Sequence, residues 1–302
     1  MAGDLCISVD STTTISHEQA EKYGIISSAL TYMVDGEEHL DAFSDDLEKS
    51  NFYEKLREGA DVTHQNISPR HFMDTWKPQL EAGKKILHLS ISSKVSQAYR
   101  SASIAADAMN AVYPDSITVF DTLIGGGCVT VMAVEAAEMS QKGASLDQIV
   151  LRLMQERDKY NMLLCADDIS HAKKEGIINS FQAAIGTAIG IRPILFASPE
   201  GKIELVSVSR GLKNVFSLAA EIIEAAMTEE TTWVSVEHAG DEYNALMMVE
   251  IIRERLKQVK KTEVSVLSPV LGINGGPGLV TIYFKGKSRN FVREYIRKSK
   301  KK

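Results

Sequence analysis

The stretch KILHLSISSKVSQAYRSASIAADAMNAVYPDSITVFD, residues 85–121, decides the fold class. It predicts a buried strand at 85–91, a helix from 92 to 112 and a second buried strand at 117–121. Glycines follow at 125–127, and an alanine-rich helix is predicted at 129–141. Strands that alternate with helices in this way favour a parallel sheet with helices on its faces.

The rest of the chain extends the pattern on both sides. Towards the N-terminus we expect a strand at 5–9, an extended segment at 25–34 and a helix that begins near Ser44 and runs to residue 58. Towards the C-terminus the predicted helices span 212–227 and 242–260, and the predicted strands span 162–168, 190–198, 202–209, 232–237, 264–270 and 279–284. The turn Pro199-Glu200-Gly201 predicts a hairpin, so this half is expected to hold a mixed sheet with antiparallel pairs.

Length and charge point to two α/β domains. A chain of 302 residues suits two domains, and the boundary is predicted near Lys159. Residues 1–158 hold 13 Lys and Arg against 24 Asp and Glu, whereas residues 159–302 hold 21 against 16. The predicted domains are therefore 1–158, with a parallel sheet and a negative net charge, and 159–302, with a mixed sheet and a positive net charge.

The composition favours a soluble cytoplasmic protein. Cys6, Cys128 and Cys165 form no CxxC pair and lie in or beside apolar segments, so they are predicted to be buried free thiols. The N-terminus lacks the basic and apolar regions of a signal peptide, and no apolar run reaches about 18 residues.

Small hydroxyl residues and glycines follow several predicted strands. Asp10-Ser11-Thr12-Thr13 follows the first strand, and Ser92-Ser93 with Ser96 follows the strand at 85–91. Ligands of open α/β sheets bind beyond the carboxyl ends of the strands, and a helix N-terminus favours anions. The serines therefore predict either an anionic head group or plain helix capping. The glycines at 125–127 indicate either a phosphate cradle or close packing of a helix on a strand.

Motifs for the commoner kinds of catalysis are missing from the sequence. The glycines lack the Lys-Ser/Thr of a P-loop, and no G-x-S-x-G surrounds Ser93. The seven histidines show no metal-ligand spacing, so neither a metal nor a cofactor is expected. An enzyme remains the alternative, namely a phosphotransferase or a serine hydrolase that uses Ser93 with His64 or His88 as its base.

Seven short motifs, taken together in order and spacing, are similar to those of the DegV family of fatty-acid-binding proteins. They are Asp10-Ser11-Thr12, Thr63 to Pro69 (THQNISP), Ile91-Ser92-Ser93 with Ser96 and Tyr99, Asp121-Thr122, Arg192-Pro193-Ile194-Leu195, Arg210-Gly211 with Lys213, and Gly272 to Gly278 (GINGGPG). The resemblance implies two α/β domains with a long-chain fatty acid between them and no catalysis by the protein itself. It also implies a carboxylate held by hydroxyls, an acyl chain buried in the second domain and, in some members, delivery to a fatty-acid kinase.

The resemblance also assigns site residues. Thr63 resembles the head-group threonine of the family, and Ser92 and Ser93, with Ser96 nearby, resemble its serines, with Ser93 the direct contact. Gly272 and Gly276 fit its glycine-rich loop, which would bring the backbone and Asn274 close to the carboxylate. Arg210 is a candidate for docking a partner. The segment 185–194 is a candidate for the acyl tunnel.

Several positions depart from the family pattern, among them Gln97-Ala98 and Gln65-Asn66-Ile67-Ser68, and two further departures bear on charge. Asn274 stands where the family has a histidine, and Ile177 stands where it has an arginine. An asparagine donates to a carboxylate but never becomes a cation. These changes favour ligand binding over delivery to a kinase, so a lipid sensor or store without a kinase partner is a further alternative. For the loop at 272–278, a tight turn without a ligand is the other interpretation.

Overall fold

The computed structural model describes residues 4–41, 43, 51–167, 173–174, 176 and 191–299. The strands are β1 (Leu5–Asp10), β2 (Ile26–Ser28), β3 (Leu30–Val34), β4 (Glu37–Asp41), β5 (Val62–His64), β6 (Lys85–Ser90), β7 (Ile117–Asp121), β8 (Tyr160–Cys165), β9 (Ile191–Ala197), β10 (Ile203–Arg210), β11 (Trp233–His238), β12 (Lys261–Val266) and β13 (Val280–Lys285). The helices are α1 (His17–Tyr23), α2 (Phe52–Glu58), α3 (Pro69–Glu81), α4 (Ala98–Asn110), α5 (Gly127–Gln141), α6 (Leu146–Glu156), α7 (Leu212–Ala226), α8 (Glu242–Arg255), α9 (Pro269–Gly275) and α10 (Arg289–Ser299). The predicted α/β class is confirmed.

The first half of the chain contains a parallel sheet in the order β2-β1-β6-β7. Its two faces are both covered, which explains why β1 and β6 are buried along nearly their whole length. Phe72 and Trp76 of α3 and Ala102 of α4 pack on one face. Cys128 and Met132 of α5 pack on the other face.

The second half contains a six-stranded mixed sheet in the order β10-β9-β8-β13-β11-β12. Of the strand pairs described in this sheet, β11 and β12 are parallel and the others are antiparallel. The predicted hairpin is confirmed, since β9 and β10 pair antiparallel across a turn in which Gly201 has φ 82°. Helices α7, α8 and α10 supply residues such as Phe216, Met248 and Val292 to the core on one face of this sheet.

A three-stranded antiparallel sheet, β4-β3-β5, was not predicted. Asp35 and Gly36 join β3 to β4 with φ of 51° and 85°, the left-handed conformation that tight hairpins require. Tyr32 of this sheet shares a small core with Tyr53 of α2 and Ile273 of α9. The sheet thereby joins the N-terminal half to a helix of the C-terminal half.

Helix α5 lies between the parallel sheet and the mixed sheet. Its core cluster combines Leu87 of β6 with Tyr160 of β8 and Tyr283 of β13. A Cβ atom on Gly126 would overlap the Tyr283 ring, and one on Gly127 would crowd the Glu237 carboxylate. These glycines therefore serve close packing, here between α5 and strands of the other sheet.

Several predicted boundaries are wrong: the helix predicted to residue 260 ends at Arg255, and the strand predicted from residue 264 begins at Lys261. Two further differences have a local cause. The helix predicted from residue 92 begins at Ala98, because Ser92 closes a turn in which its carbonyl accepts from the amides of Val95 and Ser96. The strand predicted to residue 270 ends at Val266, because Pro269 occupies the first turn of α9.

Other predictions remain untested. The predicted helix start at Ser44, the departure at Ile177 and most of the segment 185–194 lie outside the described residues. The strand predicted at 162–168 ends at Cys165, and residue 168 is not described. Tyr160 begins the first strand of the six-stranded sheet, beside the predicted boundary at Lys159. The two-domain division itself stays a prediction.

Candidate functional site

A cavity of about 480 Å³ lies where the three sheets meet. The loop after β6, the loop after β7, the end of β5, helix α9 and one face of the six-stranded sheet all contribute to its wall. The predicted position, beyond the carboxyl ends of the parallel strands, is therefore where a cavity is found. Its volume falls within the range of about 300–1,000 Å³ that is usual for small-molecule sites.

The apolar part of the wall comes from alternate residues of neighbouring strands. Met162 and Leu164 of β8, with Leu195 and Ala197 of β9, point into the cavity. Their neighbours in sequence, such as Leu163, belong instead to the core on the opposite face. Strand alternation thus separates the residues that could contact a ligand from those that only pack the core.

The loop after β6 brings three predicted serines to the wall. Ser92 is buried, and its hydroxyl donates to Gly201 O over 2.8 Å and accepts from the Lys94 amide. The Ser96 hydroxyl accepts a hydrogen bond from the amide of Ala98, the first residue of α4. Within the described part of the chain, Ser93 Oγ makes no hydrogen bond, whereas its amide donates to Asp121 Oδ1. Ser93 is therefore the serine whose hydroxyl is free for a ligand.

Asn274 is on the cavity wall and contacts His64. The distance from His64 Nε2 to Asn274 Oδ1 is 3.1 Å, and the contact joins β5 to α9. The structure does not bring Thr63 to the wall: its side chain is exposed, and its neighbours in β5 alternate to the other side. His64, and not the predicted Thr63, is therefore the residue of β5 that lines the cavity.

Gly272 and Gly276 lie away from the wall, for a structural reason. Gly272 is inside α9, where a Cβ atom would collide with the Tyr53 hydroxyl. Gly276 ends this helix with φ 82° and donates its amide to Gly272 O. The segment predicted as a ligand loop is therefore a helix and its C-terminal cap, and only Asn274 and Gly275 of it line the cavity.

Charge is distributed unevenly around the cavity. Among the described residues, Lys94 is the one lysine or arginine on the wall, and no Asp or Glu lines it. Three carboxyl groups are buried nearby, on Asp10, Asp41 and Glu237. Burial raises the pKa of Asp41 to about 8 and that of Glu237 to about 7, which favours their neutral forms. The wall as a whole suits an anion with an apolar body.

The histidines proposed as bases for Ser93 make other contacts. His88 is fully buried between Phe72 and Trp76 and contacts Ser8 Oγ through Nδ1 at 3.1 Å. Burial lowers the pKa of His88 to about 3. No hydrogen bond of the described residues joins Ser93 to His88 or to His64.

A family model of the DegV proteins, described as uncharacterised proteins of the DegV family, matches residues 4–287. The chain belongs to the DegV family. The resemblance inferred from the seven motifs is thereby confirmed over nearly the whole chain.

Relatives of this DegV protein extend the comparison. A DegV domain-containing protein of Clostridium perfringens is 27% identical over 290 residues, covering 94% of this chain and 98% of that protein. A DegV lipid-binding protein of Thermotoga maritima superposes with a TM-score of 0.79 at 25% identity, covering 94% of this chain and 99% of that one. A DegV family protein of Thermus thermophilus, described by its fatty acid binding, gives 0.80 at 25% identity, covering 93% and 99%.

Two DegV predictions concern surface and membrane. Arg210 ends β10 with an exposed side chain outside the cavity wall, so its docking role stays a prediction. Within the described residues, no helix has the length and apolar character needed to cross a bilayer.

Lys94 and His64 of the DegV cavity wall are not among the contacts that the sequence predicts. Lys94 lies between the predicted contacts Ser93 and Ser96, and His64 follows the predicted contact Thr63. For His64 the sequence suggests only the role of a base for Ser93. Both residues lie inside motifs that resemble those of the family, and this position was the signal in the sequence that could have identified them.

Proposed function

We propose that this DegV protein binds a long-chain fatty acid in the cavity and does not alter it chemically. The observation that carries the proposal is the wall itself, which joins apolar strand faces to polar loops and, among the described residues, holds one cation and no acid. The related proteins of Thermotoga maritima and Thermus thermophilus, described as lipid- and fatty-acid-binding, support the same ligand class.

The apolar strand faces would hold the acyl chain. Burying about 14 methylenes at about 0.8 kcal/mol each contributes about 11 kcal/mol before the costs of association. Met162, Leu164, Leu195 and Ile203 belong to this part of the wall. The acyl chain therefore supplies most of the affinity.

The polar loops would hold the carboxylate and fix its orientation. Ser93 Oγ and the amide of Asn274 are donors on the wall, and the Lys94 ammonium supplies charge. A hydrogen bond to a charged group contributes about 1.5–3 kcal/mol. Ser92 serves differently, because its hydroxyl already holds the loop against Gly201 O. The head group thus sets orientation more than total affinity.

A fatty acid carrier needs no base beside Ser93, and this agrees with the hydrogen bonds of His64 and His88 to other residues. Delivery to a fatty-acid kinase stays a prediction, as do Arg210 as a docking residue and the alternative of a sensor or store without a kinase.

Mass spectrometry of lipid extracted from the purified protein tests the proposal. We expect a long-chain fatty acid at a stoichiometry near one, and binding of added fatty acid after the protein has been stripped of lipid. The variant Ile203→Trp fills the apolar wall and should weaken binding at least about ten-fold, whereas Ile104→Trp on the exposed side of α4 should not. Absence of lipid together with absence of binding would overturn the proposal, and equal affinity in both variants would place the ligand elsewhere.

A further inference from the structure

His64 is the one histidine on the described part of the cavity wall, and Asn274 fixes its ring. The contact links β5 to α9, and the two residues that make it are 210 positions apart in the chain. Asn274 Oδ1 only accepts hydrogen bonds, so Nε2 carries a proton in this arrangement. The second ring nitrogen, Nδ1, makes no hydrogen bond with any described residue.

The Nδ1 atom of His64 accepts or donates a hydrogen bond according to the protonation state of the ring. In a neutral ring with the proton on Nε2, Nδ1 is an acceptor and repels a carboxylate. In a protonated ring, Nδ1 is a donor and the ring carries a positive charge. A carboxylate beside His64 therefore binds more tightly to the protonated ring, and binding takes up a proton.

The elements packed on β5 place few ionisable groups near this ring. Tyr32 of β3 is directly opposite His64, and burial raises its pKa to about 12, so it stays neutral near pH 7. Helix α9 carries no ionisable side chain. His39 lies on the far side of Tyr32, Lys94 is on the facing loop, and Asp61 is exposed just before β5. Among the described wall residues, no acid neutralises a charged ring.

We propose that His64 is a head-group ligand of the bound fatty acid, oriented by Asn274, and that its protonation couples lipid binding to pH. The inference rests on the proposed function and adds a residue and a regulation to it. Affinity is highest on the acidic side of the range over which histidine titrates, about pH 5.5–7.5. If the ligand raises the titration midpoint of the ring by about one unit, affinity falls about five-fold across that range.

The experiment uses full-length protein stripped of lipid and two ligands. Palmitate is the carboxylate probe. Hexadecanesulfonate, used below its micelle concentration, keeps its charge at every pH tested and removes protonation of the ligand as a cause. Affinities are measured from pH 5.5 to 8.0 for the parent, for His64→Gln and for the control His71→Gln, whose side chain belongs to α3 and not to the wall.

We expect the parent and His71→Gln to lose about five- to ten-fold in affinity for hexadecanesulfonate as pH rises. We expect His64→Gln to show a flat profile near the alkaline value of the parent. A slope retained in His64→Gln would overturn the inference while leaving the proposed function intact. Failure of every protein to bind either ligand would instead overturn the proposed function.

A second measurement does not depend on a substitution at the site. In protein with labelled histidine rings, the NMR titration midpoint of His64 is followed with and without hexadecanesulfonate. The bound ligand should raise the midpoint by about one pH unit. An unchanged midpoint in a protein that demonstrably binds the ligand would overturn the role of His64.

Discussion

The hydroxyl of Ser268 donates a hydrogen bond to Asp41 Oδ2 over 2.5 Å and so joins β4 to the start of α9. Both side chains are fully buried. Burial raises the pKa of Asp41 to about 8, and the nearby Asp10 adds to this shift, while hydrogen bonds from Ser268 and Ser11 oppose it. The helix that carries Asn274 is therefore anchored on a carboxyl group that is mostly protonated at neutral pH.

Asp41 should make the folded protein less stable as pH rises. In the unfolded chain an aspartate titrates near pH 3.9, whereas in the fold Asp41 titrates near 8. The folded state therefore holds the extra proton between these values, and stability from this group is lost as pH rises from about 4 to about 8. Replacement Asp41→Asn should remove that loss, by up to about 1.4 kcal/mol per pH unit.

Denaturant unfolding from pH 5 to 9 checks this prediction. The gain of Asp41→Asn over the parent should grow up to about pH 8 and then level off. Asp74→Asn is the control, because Asp74 is exposed on α3. A constant difference between Asp41→Asn and the parent at every pH would contradict the prediction. Glu237, whose pKa burial raises to about 7, contributes a slope of the same sign in both proteins.

Replacement of Gly272 should destabilise the fold because of the packing of Tyr53, and not because of a ligand. The Tyr53 hydroxyl donates to Leu267 O over 2.7 Å, which holds the ring against α9. Gly272→Ala would press a methyl group into that ring and should lower the free energy of unfolding by about 1–3 kcal/mol. Gly275→Ala should lose less, because its Cβ would meet the movable end of Leu279. Equal losses in chemical denaturation would refute this explanation.

Ser93 and Thr63 provide a direct comparison between sequence and structure. Ser93→Ala should weaken fatty-acid binding by about 1.5–3 kcal/mol, the contribution of a hydrogen bond to a charged group. The family resemblance gives Thr63 the role of head-group threonine, which implies the same loss for Thr63→Val, whereas the exposed position of Thr63 implies almost none. Calorimetric titration of both variants distinguishes the two expectations. Unchanged affinity in Ser93→Ala would remove Ser93 from the site.

Arg289 should be a major contributor to stability. Its fully buried guanidinium donates to the carbonyls of Leu123, Ser198 and Arg157, which belong to three separate segments. Arg289→Lys would leave at least one carbonyl without a donor, and each such loss costs about 1–3 kcal/mol. We expect a decrease of about 2–4 kcal/mol in the free energy of unfolding.

The control for Arg289 is Arg297→Lys, on the exposed side of the same helix. It should change the free energy of unfolding by less than about 0.5 kcal/mol. If Arg289→Lys proves equally mild, the three carbonyls find other donors and the bonds of Arg289 contribute little.

Local signals in the sequence specified most of the framework. The strand at Lys85–Ser90 and the hairpin at Pro199-Glu200-Gly201 were readable from apolar runs and turn residues. Two missed helices also carried readable signals, since Ser16 with Gln19 and Ser145 with Gln148 form capping boxes. Strands, turns and caps depend on neighbours within a few residues, which is why such signals suffice.

The sequence by itself determined the α/β class, the DegV family and three buried free cysteines. Tertiary structure decided which side of each strand faces the cavity, and so placed His64 instead of Thr63 on the cavity wall. It also turned the glycine-rich segment at 272–278 into a helix end packed on Tyr53. These outcomes depend on contacts between residues some 210 positions apart, such as His64 and Asn274. No local pattern encodes such contacts, because they arise only when elements far apart in the chain pack together.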